Sequence, residues 1–298
     1  MFSRRHPYLF FLLVSFSILT VLVLGSLAMA RWMWRSTGDS GAPSVGVIEI
    51  DGAIADSRQT IDHIRRFRED DAIKAIVIRI NSPGGAVGPA QEIYREIRKT
   101  VGTKTVVASM GAVAASGGYY VASAADGIVA NPGTITGSIG VIMGYTNFGE
   151  LLEKIGMVPV VIKSGPYKDT GSPTREMRDD EREILQAIIQ TIHAQFVTAI
   201  AEGRKMARAE VERAADGRII TGEDAQARGL VDRLGNFQDA LEWAAELAGI
   251  EGVVVPVYAR DKKLTLLRYL ISLPFPEWVA QLIHPGIYAQ YRYLPERM

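Results

Sequence analysis

An uncharged apolar stretch near the N-terminus constrains this chain of 298 residues more than any other feature. Residues 8–30 form a run of 23 residues that contains no charged side chain and only serine and threonine as polar interruptions. At a rise of about 1.5 Å per residue, a helix of this length spans a hydrocarbon layer of about 30 Å. We therefore predict an N-terminal signal anchor over residues 1–35 that contacts membrane lipid through residues 8–30.

The flanks of this run leave its processing open. Arginines lie on both sides of it, so the positive charges give only weak support for a cytoplasmic N-terminus. Residues 28–30 have the small-x-small form of a cleavage site, although the run is longer than the roughly 7–15 apolar residues of a typical signal peptide. An uncleaved signal anchor and a cleaved signal peptide would both place residues 31–298 outside the cytoplasm. We favour a single-pass protein of the inner (cytoplasmic) membrane.

The rest of the chain alternates between strand-like and helix-like segments. Residues 36–44 are small and polar and predict a linker, whereas residues 261–298 form an apolar tail broken by prolines. Repeated strand–helix units with β-branched strands predict one α/β domain over residues 45–260, with a largely parallel sheet and right-handed crossovers. Strands are predicted at 45–50, 73–80, 104–110, 128–130, 139–143 and 157–163, and helices at 57–71, 89–100, 116–124, 178–203 and 207–215.

Composition excludes several classes of function. Lysine plus arginine and aspartate plus glutamate both number 33, and this zero net charge argues against a nucleic-acid partner, which calls for a basic excess. The absence of cysteine excludes disulfides, cysteine–zinc sites and a cysteine nucleophile. The four histidines form no HExxH-like pair, so we expect no metal and no other cofactor.

Two glycine-rich turns directly follow predicted strands. In the first, NSPGG at 81–85, Gly84 and Gly85 allow positive φ and close approach of a ligand to backbone amides, although an ordinary tight turn is the alternative. In the second, small residues lead to Ser116 and Gly117 at a predicted helix start. The Gly117 amide there would favour an oxyanion, but a simple helix N-cap serine also fits the pattern.

A serine nucleophile needs a base, and no histidine lies in a loop after a predicted core strand. Among nine lysines, Lys168 differs because it lies in a glycine- and proline-rich loop after a predicted strand, and Lys163 at the end of that strand is its rival. A lysine base must be neutral, which requires burial to lower its pKa from about 10.4. We expect the Asp169 carboxylate to point away from Lys168, since an inward carboxylate would favour the charged amine. A solvated loop lysine is the alternative.

Four motifs occur in order along the chain and combine into a specific pattern. They are NSPGG at 81–85, MGAVAASGGYY at 110–120, NPGTITGSIGVIM at 131–143 and KSGPYKDTGSPTREM at 163–177. Together with the N-terminal anchor, they resemble the signal peptide peptidase A family of membrane-anchored serine proteases. The resemblance extends over residues 45–260, and the chain carries one copy of the catalytic unit, like the short members of that family.

The resemblance implies a role for each matching residue. Ser116 corresponds to the nucleophile and Lys168 to the general base. Ser138, in TGSIG, corresponds to a serine that hydrogen-bonds the lysine. The amides of Gly85 and Gly117 correspond to the oxyanion hole.

The resemblance also carries expectations about fold, substrate and assembly. It implies a Clp/crotonase-like α/β fold of repeated ββα units, in which Gly84 shapes the turn before the oxyanion amide. It implies a serine endopeptidase with an extracytoplasmic catalytic domain, no cofactor, apolar peptide substrates such as released signal peptides, and a homo-oligomeric ring. It also implies that both dyad residues come from one copy of the chain.

Alternatives remain for the family and for the function. Clp proteases share NSPGG and AAS but place a histidine some two dozen residues after the serine, where this chain has GSIGVIM. Enoyl-CoA hydratases share the fold but usually carry acidic residues in the site and no anchor. The alternative function is a catalytically silent, membrane-bound scaffold that binds peptides. For the tail, one hypothesis is that residues 291–298 extend into a neighbouring active site and inhibit it.

Overall fold

The computed structural model describes residues 7–36, 43–259 and 290–292. The chain divides into two compact units, residues 1–42 and 43–298. The predicted linker at 36–44 lies outside the described residues except for residues 36, 43 and 44, and so does the predicted apolar tail at 261–298 except for residues 290–292.

The described part of the first unit is a helix, α1, Pro7–Ser36, of 30 residues. Proline at its first position has the φ angle of a helix and lacks only an amide hydrogen that would be unpaired there in any case. At about 1.5 Å per residue the helix is about 45 Å long. Apolar side chains described along it, including Tyr8, Phe16 and Leu22, are exposed. The helix predicted over residues 8–30 is therefore present.

The second unit alternates strands and helices, as the sequence predicts. Its elements, in chain order, are β1 Ser44–Asp51, α2 Arg58–Glu69, β2 Ile73–Ser82, β3 Gly84–Ala86, α3 Val87–Val101, β4 Thr105–Ala115, α4 Gly117–Ala122, β5 Gly127–Ala130, β6 Ile135–Gly137, α5 Gly149–Lys154, α6 Asp179–Arg204, α7 Arg208–Ala214, β7 Ile219–Thr221, α8 Gly222–Ala227, β8 Arg233–Leu234, α9 Phe237–Leu247, β9 Pro256–Tyr258 and β10 Gln290–Arg292.

The main sheet has eight strands and is almost entirely parallel. The path runs β7-β6-β4-β2-β1-β9, and β5 pairs with both β4 and β8; only β6 and β7 pair in antiparallel fashion. Strand β4 divides its pairing, because Val107–Ser109 faces β5 whereas Val113–Ala115 faces β6. The two halves of β4 therefore pair with different strands. The half that pairs with β6 ends directly before Ser116.

Both faces of this sheet are covered, as expected for parallel strands. Along β2, Ile76, Ile78 and Ile80 belong to the larger core cluster, which also contains buried residues of α2, α3 and α6. The intervening Ala75 and Val77 belong to a second cluster, with buried residues of α9 on the other face. This alternation explains the continuous β-branched run, since successive side chains of a strand point to opposite faces.

Helix α6 is long and apolar enough, by length and composition alone, to cross a membrane. Its C-terminal half instead packs into the domain, where Phe196, Val197 and Ile200 are almost completely buried. Its first turn contains Glu181, which is buried in ion pairs with arginines. We therefore treat α6 as a helix of the domain.

Two predicted strands are wrong. The segment predicted as a strand at 139–143 is irregular, and the strand of this region, β6, lies earlier, at Ile135–Gly137. Residues 157–163 contain no strand, and Val158 and Ile162 are 83% and 97% exposed. The apolar, β-branched composition of that segment is typical of a strand, but the described chain offers it no pairing partner.

Candidate active site

Ser116 lies between the end of β4 and the start of α4. Its backbone has φ 54° and ψ −117°, a conformation that residues other than glycine seldom adopt. Its amide donates to the Gly137 carbonyl at 2.8 Å, and its carbonyl accepts from the Tyr120 amide at 2.8 Å. Ser116 is 1% exposed, and all six residues of α4 are buried. The surrounding structure thus holds this serine in a strained turn.

The two glycine-rich turns pack against each other, and glycine is required at the contact. A Cβ atom at Gly118 would lie 2.7 Å from the Ser82 carbonyl oxygen. The Ser82 hydroxyl in turn accepts from the Gly84 amide at 3.1 Å. Because Ser82 is part of NSPGG, this contact brings the turn residue Gly84 and the oxyanion candidate Gly85 to the same end of the sheet as Ser116 and Gly117.

Strand β3 is held on one side by the chain around Ile54. The Ile54 amide donates to the Gly84 carbonyl at 2.9 Å, and the Ala86 amide donates to the Ile54 carbonyl at 2.8 Å. Gly84 has φ +102°, and a Cβ at Gly85 would lie 2.2 Å from the Ile54 carbonyl oxygen. Two adjacent positions therefore require glycine, one for its φ angle and the other for space.

The other side of β3 pairs with β10, from the C-terminal tail of the same chain. The pairing is antiparallel and sets Tyr291 opposite Gly85 and Arg292 opposite Gly84. Strand β3 was not predicted, because three residues of glycine and alanine carry no strand signal of their own.

Ser138 lies at a second strained position beside the nucleophile candidate. It has φ 50° and directly follows β6, whose Gly137 pairs with Ala115. Its amide donates to the Arg218 carbonyl at 2.7 Å. The two serines, Ser116 and Ser138, therefore follow paired residues on neighbouring strands.

Ser138 also lines a cavity of about 440 Å³ together with His193 of α6. The Nε2 atom of His193 is buried and has no hydrogen-bond partner in the described chain. His193 was not a candidate base from the sequence, because no histidine lies in a loop after a predicted core strand. Its position on the same cavity as Ser138 depends on how α6 packs into the domain, which helical spacing does not reveal.

The two lysine candidates differ in their surroundings. The Lys163 Nζ lies 2.6 Å from Asp169 Oδ1 and donates to the Pro166 carbonyl at 3.2 Å, so it is engaged as a cation. Lys168 lies in a turn in which its amide donates to the Gly165 carbonyl at 3.3 Å, and its side chain is exposed. Both Asp169 carboxylate oxygens bind other cations, so the expectation that Asp169 turns away from Lys168 is confirmed.

The structure does not join the lysine to the two serines. Among the residues it describes, no hydrogen bond links the side chains of Ser116, Ser138 and Lys168, so the dyad stays a prediction. Nor does any group of three or more histidine, aspartate or glutamate side chains within the described ranges have a placement that could hold a metal ion.

Charged neighbours stabilise two carboxylates near Lys168, those of Asp169 in the loop and Glu181 in the first turn of α6. The Arg175 guanidinium, followed by the Lys163 ammonium, holds the pKa of Asp169 far below its usual range. Hydrogen bonds from Arg175 lower the pKa of Glu181 to about 2, against the effect of its burial. Both carboxylates are therefore ionised at neutral pH.

Two family models match overlapping parts of the chain. The model of peptidase family S49 matches residues 98–251, and the Clp protease model matches residues 47–134. A putative protease of Synechocystis sp. is 48% identical over 75% of this chain and 81% of its own length. A putative signal peptide peptidase SppA of Enterococcus faecium is 34% identical over 76% of this chain and 71% of its own length.

A longer relative matches through only part of its length. Protease 4 of Salmonella typhi is 37% identical over 73% of this chain, which spans 36% of that protein. The S49 match covers more than half of the chain and includes Ser116, Ser138 and Lys168. The chain is thus a serine-type peptidase that belongs to peptidase family S49, within the signal peptide peptidase A family that its motifs resemble.

Proposed function

We propose that this peptidase is a membrane-anchored endopeptidase with a Ser116–Lys168 dyad that cleaves apolar peptides, including signal peptides already released from their precursors. The observation that carries the proposal is the strained, buried turn at Ser116, packed beside the glycine strand β3. Backbone strain of this kind persists where the surrounding structure over-determines it, and it clusters at active sites.

The proposed mechanism assigns each proton to a group of this chain. Neutral Lys168 accepts the Ser116 proton as the hydroxyl oxygen attacks the peptide carbonyl carbon, and the amides of Gly85 and Gly117 stabilise the oxyanion. Lys168 then protonates the leaving amine and activates a water molecule that hydrolyses the acyl-enzyme. Ser138 orients the lysine amine. Lys163 is unsuited to this role because it is paired with Asp169.

We propose that substrates bind as an added strand along β3. Strand addition supplies affinity through main-chain hydrogen bonds, which suits peptides of varied sequence. The edge of β3 that faces away from Ile54 already accepts an antiparallel strand, β10, directly opposite Gly84 and Gly85. A peptide in that position would carry its backbone past the proposed oxyanion amides.

We further propose that copies of the chain assemble into a homo-oligomeric ring. The segment at 157–162 leads into the Lys168 loop and exposes large apolar side chains, among them Met157, Val158 and Val160. Contiguous exposed apolar surface of this kind is typical of an interface. A second copy seated there would also exclude water from Lys168, which favours its neutral form.

The membrane location is part of the same proposal. Helix α1 carries the uncharged run 8–30 and displays apolar side chains along its described length. It would hold the domain at residues 43–298 on the extracytoplasmic face of the inner membrane. The name of the Enterococcus faecium relative, a putative signal peptide peptidase, supports this substrate class.

A serine-directed fluorophosphonate and a signal-peptide reporter test the proposal on the full-length protein in detergent. We expect labelling and reporter cleavage by the wild-type protein, loss of both in Ser116→Ala, and a nearly complete loss in Lys168→Ala. Equal labelling of Ser116→Ala would refute the nucleophile assignment. Reporter binding without cleavage by the wild-type protein would favour the silent scaffold instead.

A further inference from the structure

A compact group of ion pairs surrounds the segment that carries Lys168. We call Lys163, Asp169, Arg175 and Glu181 the loop clamp. Lys163 Nζ lies 2.6 Å from one Asp169 carboxylate oxygen, and Arg175 Nε lies 3.1 Å from the other. The two terminal nitrogens of Arg175 donate to the two Glu181 oxygens at 2.6 and 2.9 Å. Arg175 thus bridges both carboxylates.

The loop clamp is more buried than an ordinary surface ion pair. The Glu181 side chain is completely buried, and that of Asp169 is 14% exposed. Bidentate arginine–carboxylate pairs fix geometry as well as charge, and burial protects them from screening by solvent. Glu181 lies in the first turn of α6, whose buried residue Phe196 packs into the core. The clamp therefore ties a loop to a packed helix.

The clamp holds the backbone on both sides of Lys168. On the N-terminal side, the Pro166 carbonyl accepts from Lys163 and from Arg178, each at 3.2 Å. On the C-terminal side, the Asp169 carbonyl accepts from Arg175 at 3.2 Å. Between these two fixed carbonyls lie only Tyr167 and Lys168.

Lys168 itself stays outside the network. The segment at 163–178 contains four basic side chains, and three of them, Lys163, Arg175 and Arg178, form ion pairs. Lys168 forms none with any residue that the structure describes, although Asp169 is its immediate neighbour. The arrangement diverts the nearest carboxylate from the lysine.

We propose that Arg175 is the positioning residue for the lysine base. It fixes the Lys168 backbone through Asp169 and Glu181, and it keeps the Asp169 carboxylate from pairing with the Lys168 ammonium. A freed carboxylate at that place would favour charged lysine and oppose proton transfer from Ser116. This inference rests on the proposed function, in which Lys168 is the base, and it assigns Arg175 no contact with substrate.

A double-mutant cycle separates positioning from a general loss of structure. The rate of fluorophosphonate labelling is measured for Arg175→Gln in the full-length protein and again in a Lys168→Ala background. We expect about 100-fold slower labelling in the first case, as for a misplacement of about 1 Å. In the second case we expect no further slowing, because a residue that acts through Lys168 has nothing left to position. Equal slowing in both backgrounds, or none in either, would overturn the inference.

Two variants complete the test. Arg175→Lys keeps the charge but lacks the planar fork that bridges two carboxylates, so it should also slow labelling only where Lys168 is present. It decides the matter if Arg175→Gln does not fold. Glu96→Gln is the matched control, since Glu96 is a buried glutamate paired with Arg65 and Arg68 on another part of the domain. It should leave the labelling rate unchanged.

The outcomes also distinguish this inference from the proposed function. Wild-type labelling rates in Lys168→Ala would refute Lys168 as the base and the inference with it. Slow labelling in Lys168→Ala combined with wild-type rates in Arg175→Gln and Arg175→Lys would refute the positioning role alone.

Discussion

Replacing Gly85 by alanine tests the geometry of β3 directly. The added Cβ would lie 2.2 Å from the Ile54 carbonyl oxygen and 2.5 Å from the Ile54 amide nitrogen. Two non-bonded atoms other than hydrogen need a separation about 1 Å longer than these distances. Strand β3 and the chain at Ile54 must therefore move apart by about that amount. The substitution therefore displaces the proposed oxyanion amide without changing Ser116 or Lys168.

The structure sets the size of the expected effect. Separation weakens the two hydrogen bonds between Ile54 and β3, worth about 0.5–1.5 kcal/mol each, or about 1–3 kcal/mol in total. At about 2–4 °C for each kcal/mol, Tm should fall by about 2–12 °C. Displacing an oxyanion donor by about 1 Å should lower kcat by about 100-fold or more. Activity should therefore fall much more than stability.

The assay compares Tm and signal-peptide reporter turnover for Gly85→Ala and a matched control, Gly88→Ala. A Cβ at Gly88 would meet nothing within 4 Å, so that variant should keep wild-type turnover. A folded Gly85→Ala protein with wild-type kcat would refute the placement of the oxyanion hole at β3. Equal loss of kcat in both glycine variants would show that the effect is not specific to the Ile54 contact.

Three further predictions follow from the same geometry. Truncation after Pro285 removes β10 from the edge of β3 and should raise reporter turnover at low substrate concentration, whereas unchanged turnover would show that β10 does not compete with substrate. His193→Gln should leave fluorophosphonate labelling intact, and its loss would make His193 rather than Lys168 the candidate base. Since the folded-state pKa of Glu181 is lowered from 4.5 to about 2, its contribution to stability is present above about pH 4.5 and is lost as the pH falls towards 2. The Tm of the wild-type protein should accordingly fall more steeply over that interval than the Tm of Glu181→Gln, and parallel curves would contradict the assignment.

The central strands were predictable because each one is buried on both faces. In β1 and β2, runs of β-branched residues contribute side chains to both core clusters, so the composition of these strands indicates a parallel sheet. The position of Ser116 at a helix start was also predictable from the small residues that follow a strand. That pattern fitted a helix N-cap serine as well, so the local sequence did not identify the nucleophile, and its assignment came from the family resemblance. The positive φ angle of Ser116 was not predicted.

Other features depend on partners distant in the chain. Strand β3 exists because Ile54 and β10 pair with Gly84–Ala86, and β10 lies some two hundred residues further along. The segment at 157–163 is the opposite case. It has the composition of a strand but no pairing partner among the described residues, so the strand predicted there was wrong. Ser138 and His193 line the same cavity because α6 packs into the domain beside Ser138, and nothing in the local sequence at either residue indicates this.

The separation of Ser116 Oγ and Lys168 Nζ in an experimental structure of the full-length, assembled protein tests the central claim most directly. We predict a hydrogen-bond distance of about 2.6–3.2 Å, with Lys168 shielded from solvent and Asp169 still bound to Arg175. An assembled and active protein in which Lys168 remains in solvent, beyond hydrogen-bond reach of Ser116, would contradict it.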